Sequence, residues 1–290
     1  MTRRFARLAW ITAAFTYALI VLGGIVRITG SGMGCGDHWP VCNGRLIPPL
    51  DDIKTLIEWT HRLVAAIVSI LVAALAADTW WLRSGKGEGG RGKGTTPLGY
   101  VALGLLMVQV LLGAVTVKLE LPPWTIILHL GTAMALLATL LVTARKAGLT
   151  PGASPRNMEV RPTPTPRSRA GLVALAFGFV TVLFGALVAN MGAATACLGF
   201  PLCNGQVLPA GNYLQHLHWT HRLLAYTLAI YVAVWAYRTR SRGPLGVLAV
   251  VVAQIGVAAA MVLLGLPHGL QGAHVAVGTA VWAALALAAW

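Results

Sequence analysis

Hydrophobic positions along this chain are gathered into long continuous blocks separated by short polar segments. Blocks of about 20 residues, the length a helix needs to cross the hydrocarbon core of a bilayer, fall at 8–28, 58–82, 98–118, 125–144, 170–190, 217–237, 245–265 and 271–290. The pattern predicts an all-α polytopic membrane protein with eight transmembrane helices. The blocks also repeat in order. Trp59-Thr60-His61-Arg62 opens the second block and Trp219-Thr220-His221-Arg222 the sixth. Upstream of each lies a two-cysteine loop ending in Cys-Asn-Gly, at 42–44 and 203–205; downstream, Gln109 leads to His129 and Gln254 to His274. Ordered matches over this span indicate a duplication. Four helices per repeat is an even number, so both halves enter the membrane from the same side and are related by an axis along its normal. The expected organisation is two tandem, parallel-repeat four-helix bundles, at 1–145 and 170–290, joined by a cytoplasmic linker at 146–169.

Composition supports a membrane class. Of 290 residues 57% are hydrophobic and 10% charged, against about a quarter charged in a soluble domain. Sixteen of the 22 Lys and Arg fall in one set of segments: the N-terminal Arg3, Arg4 and Arg7, the 83–93 loop, the 145–169 connector and the 238–242 turn. By the positive-inside rule these are cytoplasmic, which places the N-terminus inside and both cysteine loops outside the cell membrane. The net charge of +14 is then a topology signal and an attraction to anionic lipid. Basic residues spread over four short segments do not make a nucleic-acid surface. The first block exceeds the h-region of a signal peptide and has an internal duplicate at 170–190, so it reads as a retained span. The loops at 83–97 and 146–169 read as flexible connectors.

Candidate chemistry lies at one level. Cys35 and Cys42, and Cys197 and Cys203, are close pairs on the expected oxidising face, where intraloop disulfides are the natural state. Each bridge either shapes its loop or exchanges electrons beside a membrane site; neither spacing is Cys-x-x-Cys, and zinc does not suit them. Four of the eight histidines, His61, His129, His221 and His274, lie inside spans, at the fourth or fifth position of even-numbered blocks. With a rise of about 1.5 Å per residue they share one depth near the outer leaflet, two per half. A pair of imidazoles from facing helices, with Gly131, Thr132, Ala133, Ala273, Gly278 and Thr279 as small neighbours, suits a flat porphyrin held from above and below. This predicts one porphyrin site per half. Arg62 and Arg222 follow their histidines and either pair porphyrin propionates or snorkel to lipid phosphates. Gln109 and Gln254 are expected to bridge helices.

The halves differ chemically. Glu58 lies three residues before His61, on the same helical face, where the second half has His218 before His221. A carboxylate at that boundary suits proton transfer or stabilisation of a developing cation at a substrate; the alternative is a helix-terminal charge favoured by the dipole.

These residues resemble the bacterial heme A synthase family over essentially the whole chain. The likeness rests on Gly23-Gly24 through Arg27 to Gly30-Ser31-Gly32, the 35–42 loop with Trp39-Pro40, Glu58-Trp59-Thr60-His61-Arg62, and the mirrored second half. The resemblance implies two four-helix bundles and oxidation of the C8 methyl of heme O to the formyl group of heme A. It implies that His221 and His274 ligate a heme b cofactor and its iron, that His61 and His129 hold the substrate heme, and that Glu58 is needed for turnover. It also implies disulfides at Cys35–Cys42 and Cys197–Cys203, and as partners a heme O synthase or oxidase assembly factors beside the lipid bilayer. Two departures stand out: the second cysteine loop is one residue shorter, and the chain stops at Trp290 without the basic tail usual in the family. A diheme electron-transfer protein is the alternative from another class, and a transporter built on parallel repeats is a third.

Overall fold

The starts of the second and sixth helices are set by polar side chains that the apolar blocks leave out. In the computed structural model, which describes residues 3–49, 51–84, 97–147 and 168–290, Asp52 caps the second helix by accepting from the Thr55 N–H. Asn212 caps the sixth by accepting from the N–H groups of Leu214 and Gln215. A cap satisfies backbone donors that have no partner within the helix. These two helices therefore begin at 53 and 213, upstream of the expected 58 and 217, where hydropathy alone stopped at the polar first turns.

The described residues form eight α-helices: α1 (Arg3–Ile28), α2 (Ile53–Arg83), α3 (Leu98–Lys118), α4 (Pro123–Lys146), α5 (Arg169–Asn190), α6 (Tyr213–Thr239), α7 (Arg242–Leu263) and α8 (His268–Ala289). Among the described residues a 3₁₀ turn lies at Ala193–Thr195. Seven of the helices are long and apolar enough to cross a membrane, which makes the chain a multi-pass membrane protein; α6 falls below the rest. Its opening turns carry Gln215, His216, His218, Thr220, His221 and Arg222. His218 and Arg222 are buried, so these two of the polar groups that lower its hydropathy point into protein, where intramembrane polar residues are tolerated. The 85–96 loop and most of the expected linker, 148–167, lie outside the described residues.

Short connections dictate neighbours. α3 turns into α4 over Leu119–Pro122, with Glu120 and Leu121 at positive φ, and α7 into α8 over Leu264–Pro267, with Gly265 and Leu266 at positive φ. In each turn an N–H reaches back to the helix just ended, Leu121 to Thr116 and Leu266 to Met261, and a proline then starts the next helix. Packing closes α1–α2–α3–α4 into one ring and α5–α6–α7–α8 into another, with α1 and α4 meeting α8, and α4 meeting α5. The first core gathers Phe5, Val68, Val72, Leu75, Leu137 and Leu140; the second gathers Leu228, Val232, Trp235, Val247 and Leu285. Trp282 of α8 belongs to the first core and donates its indole N–H to the Met134 carbonyl of α4 at 2.8 Å.

Candidate functional site

Both cysteine loops are built from the same parts. Cys35 is bonded to Cys42 and Cys197 to Cys203, with Cα separations of 4.4 and 4.6 Å, and all four cysteines are buried. After each second cysteine an Asn-Gly turn at positive φ closes a small antiparallel bridge, Cys42 with Arg45 and Cys203 with Gln206. Asn and Gly tolerate that left-handed backbone best. The shorter second loop is accommodated ahead of the turn: Asn43 N–H donates to the Cys35 carbonyl, whereas Asn204 N–H donates to that of Leu198.

An arginine from the following helix fastens each loop. Arg62 Nη1 donates to the carbonyls of His38 at 2.6 Å and Val41 at 2.7 Å. Arg222 Nη1 donates to Gly199 and Leu202, both at 2.9 Å, and its Nη2 to Cys197 at 2.7 Å. Both guanidinium groups thus engage loop carbonyls.

In the first half a carboxylate joins this arrangement. Glu58 is 3% exposed; its Oε1 accepts from Arg62 Nη2 at 2.6 Å and Nε at 3.1 Å, and its Oε2 accepts from the Cys35 N–H at 2.8 Å. Removing one member of such a pair strands the other charge at a cost of about 3–5 kcal/mol. His218 stands in the corresponding place of the second half and engages the Ala193 carbonyl through Nδ1 at 2.9 Å. Glu58 therefore faces the loop and Arg62 from inside the protein; it is not a solvated helix-end charge.

His61 and His221 lie about two turns beyond the capped helix starts at 53 and 213. His61 of α2 and His129 of α4 stand on opposite members of the first ring of helices, and His221 of α6 and His274 of α8 on opposite members of the second. A ring needs room beside a neighbouring helix, and glycine supplies it. A Cβ on Gly23 of α1 would lie 3.2 Å from His61 Cε1, one on Gly113 of α3 would lie 3.3 Å from His129 Cε1, and one on Gly185 of α5 would lie 2.9 Å from His221 Cε1. His221 Nδ1 is 3.1 Å from the Thr181 carbonyl. A carbonyl only accepts, so Nδ1 carries the proton and Nε2 keeps its lone pair, as a metal ligand requires. Gln109 Nε2 is 3.1 Å from His129 Nε2, and Gln254 Nε2 is 3.1 Å from His274 Nδ1. The two glutamines bridge α3 to α4 and α7 to α8. Among the described residues, His61 Nδ1, His129 Nδ1, Gln109 Oε1, Gln254 Oε1 and Trp219 Nε1 are buried without a hydrogen-bond partner. Buried polar atoms are rarely left so; the two on His61 and His129 fit a ligand that takes imidazole nitrogen in the first half. The glycine seats and the Thr181 carbonyl escape sequence reading, because each acts across helices rather than along one.

Fold and site together define a polytopic helical membrane protein carrying paired histidines beside disulfide-closed loops. The family model COX15-CtaA, described as cytochrome oxidase assembly protein, matches residues 6–286. The chain is 31% identical over 250 residues to the heme A synthase of Alkalihalophilus pseudofirmus, covering 83% of this chain and 78% of that one. It is 31% identical over 244 residues to that of Shouchella clausii (82% and 78%) and 32% identical over 248 residues to that of Bacillus licheniformis (82% and 77%). The chain belongs to the heme A synthase family.

Proposed function

We propose that this protein converts heme O to heme A, oxidising the C8 methyl group to a formyl group by successive hydroxylations within the membrane. The observation that carries the reading is the chemical difference between two otherwise matching frames: each half sets two histidines together beneath an arginine-fastened disulfide loop, and only the first adds a buried carboxylate. The N-terminal bundle, 1–145, is assigned to substrate, with His61 and His129 holding heme O and Glu58 beside it. The C-terminal bundle, 170–290, is assigned to a heme b cofactor, with His221 and His274 as iron ligands. Heme b, when bound, supplies one-electron transfer. The chain's own contribution is to fix imidazole orientation through Gln109, Gln254 and the Thr181 carbonyl, to exclude water by closing each loop, and to hold a carboxylate at the substrate side. A farnesylated substrate explains a site among membrane helices, since it can enter sideways from the lipid. The distribution of basic segments supports an N-terminus in the cytoplasm and cysteine loops outside the cell membrane. A heme O synthase or an oxidase assembly factor is the expected partner.

The test is pigment analysis of the purified protein with and without a heme O supply. Heme A or its hydroxylated intermediate is expected with heme O present, and Glu58→Gln is expected to keep its bound heme while conversion falls about 100-fold or more. Heme b alone under both conditions would instead mark a diheme carrier, and undiminished conversion by Glu58→Gln would remove the carboxylate from the mechanism.

A further inference from the structure

Glu58 is held on both oxygens, and the two halves disclose what that holding is for. In the second half Arg222 fastens its loop through three carbonyls, Gly199, Leu202 and Cys197, with no acid involved. Loop closure therefore does not require an ion pair. In the first half Arg62 closes the loop with Nη1 alone, through His38 and Val41, and turns Nη2 and Nε onto Glu58 Oε1. The same side chain at the same place has been divided between two tasks. Its second task fixes a carboxylate whose other oxygen is already engaged by the Cys35 N–H. Two charge-assisted contacts from a planar guanidinium define the orientation of a carboxylate as well as its location, and a group acting on a substrate loses rate steeply when displaced by even about 1 Å.

We infer that Arg62 is a positioning residue for Glu58, setting the carboxylate's orientation toward the substrate heme from the disulfide loop it also fastens. The inference rests on the assignment of Glu58 to the reaction. A lysine at 62 can still present one charged donor to Oε1 but cannot also span both loop carbonyls, so graded behaviour is expected across a series.

The experiment measures heme O conversion by full-length protein in lipid nanodiscs for Arg62→Lys, Arg62→Gln, Glu58→Gln and the double variant Glu58→Gln/Arg62→Gln. Heme content and thiol alkylation are read on each sample, to confirm that iron is bound and the Cys35–Cys42 bridge is closed. Expected for Arg62→Gln is a kcat lowered about 10- to 100-fold with KM for heme O within about twofold, partial recovery in Arg62→Lys, and a double variant no slower than Glu58→Gln alone. Losses that multiply in the double variant, or that merely track lost heme or an opened bridge, overturn the inference. Full conversion by Arg62→Gln while Glu58→Gln is inactive overturns it alone; full conversion by Glu58→Gln overturns the role of Glu58 and this inference with it.

Discussion

Asp52 shows how much one side chain decides. Its carboxylate accepts from the Thr55 hydroxyl at 2.7 Å and the Thr55 N–H at 2.8 Å, and these bonds hold it below its ordinary pKa of 3.8. A group whose folded pKa is depressed stabilises the fold above its unfolded pKa and ceases to do so as pH falls through the folded one. Asp52→Ala is therefore expected to melt below the parent protein near pH 7, with the difference shrinking once pH drops under about 4; melting curves across that range in detergent provide the check. The same threonine hydroxyl reaches the Gly34 carbonyl at 2.8 Å, so the cap also touches the first cysteine loop. Composition reveals a cap here only as a polar gap between blocks. The loop partners of Arg62 lie 21 and 24 residues upstream and become visible only when the disulfide folds the loop back.

At the scale of elements, the helices are legible because lipid demands a continuous apolar run, and so are the four intramembrane histidines, which break such runs. The fine seating is not. A glycine in an apolar block reads as composition, yet a methyl group on Gly185 would press on His221 at 2.9 Å. Gly185→Ala is expected to loosen heme in the second half about 10-fold, with Gly246→Ala, where nothing lies within 4 Å, as the neutral comparison; heme retention through dilution and gel filtration measures both. Gln254 bonds the ring and the main-chain carbonyl of His274. Its replacement by Leu leaves the imidazole free to rotate and is expected to weaken heme binding about 10- to 100-fold, read by titration of the heme-depleted protein.

Across the whole molecule, the two rings of helices are tied by few polar contacts on broad apolar ones. Tyr17 donates to the Ala276 carbonyl, Arg145 to that of Leu287, and Trp282 to that of Met134, each joining residues from opposite halves. Trp282 also stacks at a tilt on Phe179, ring centroids 5.6 Å apart. Trp282→Ala removes a buried aromatic and strands a carbonyl, so a loss of about 3–5 kcal/mol is expected, seen as a lower melting temperature with α4 and α8 most affected in hydrogen exchange. The repeat in sequence foretells two matching sets of contacts. It does not foretell that α8 lends its tryptophan to the core of the other half, because that contact belongs to neither copy taken alone.

Fastening by Arg62 and Arg222 separates mechanical work from chemistry. The first loop is closed with an acid behind its arginine and the second with an imidazole there, so the frame does not depend on the chemistry of that position. One copy thus serves as the other's internal control: exchanging Glu58 and His218 between them asks which reactions this architecture can host, with the scaffold held constant by its own duplicate.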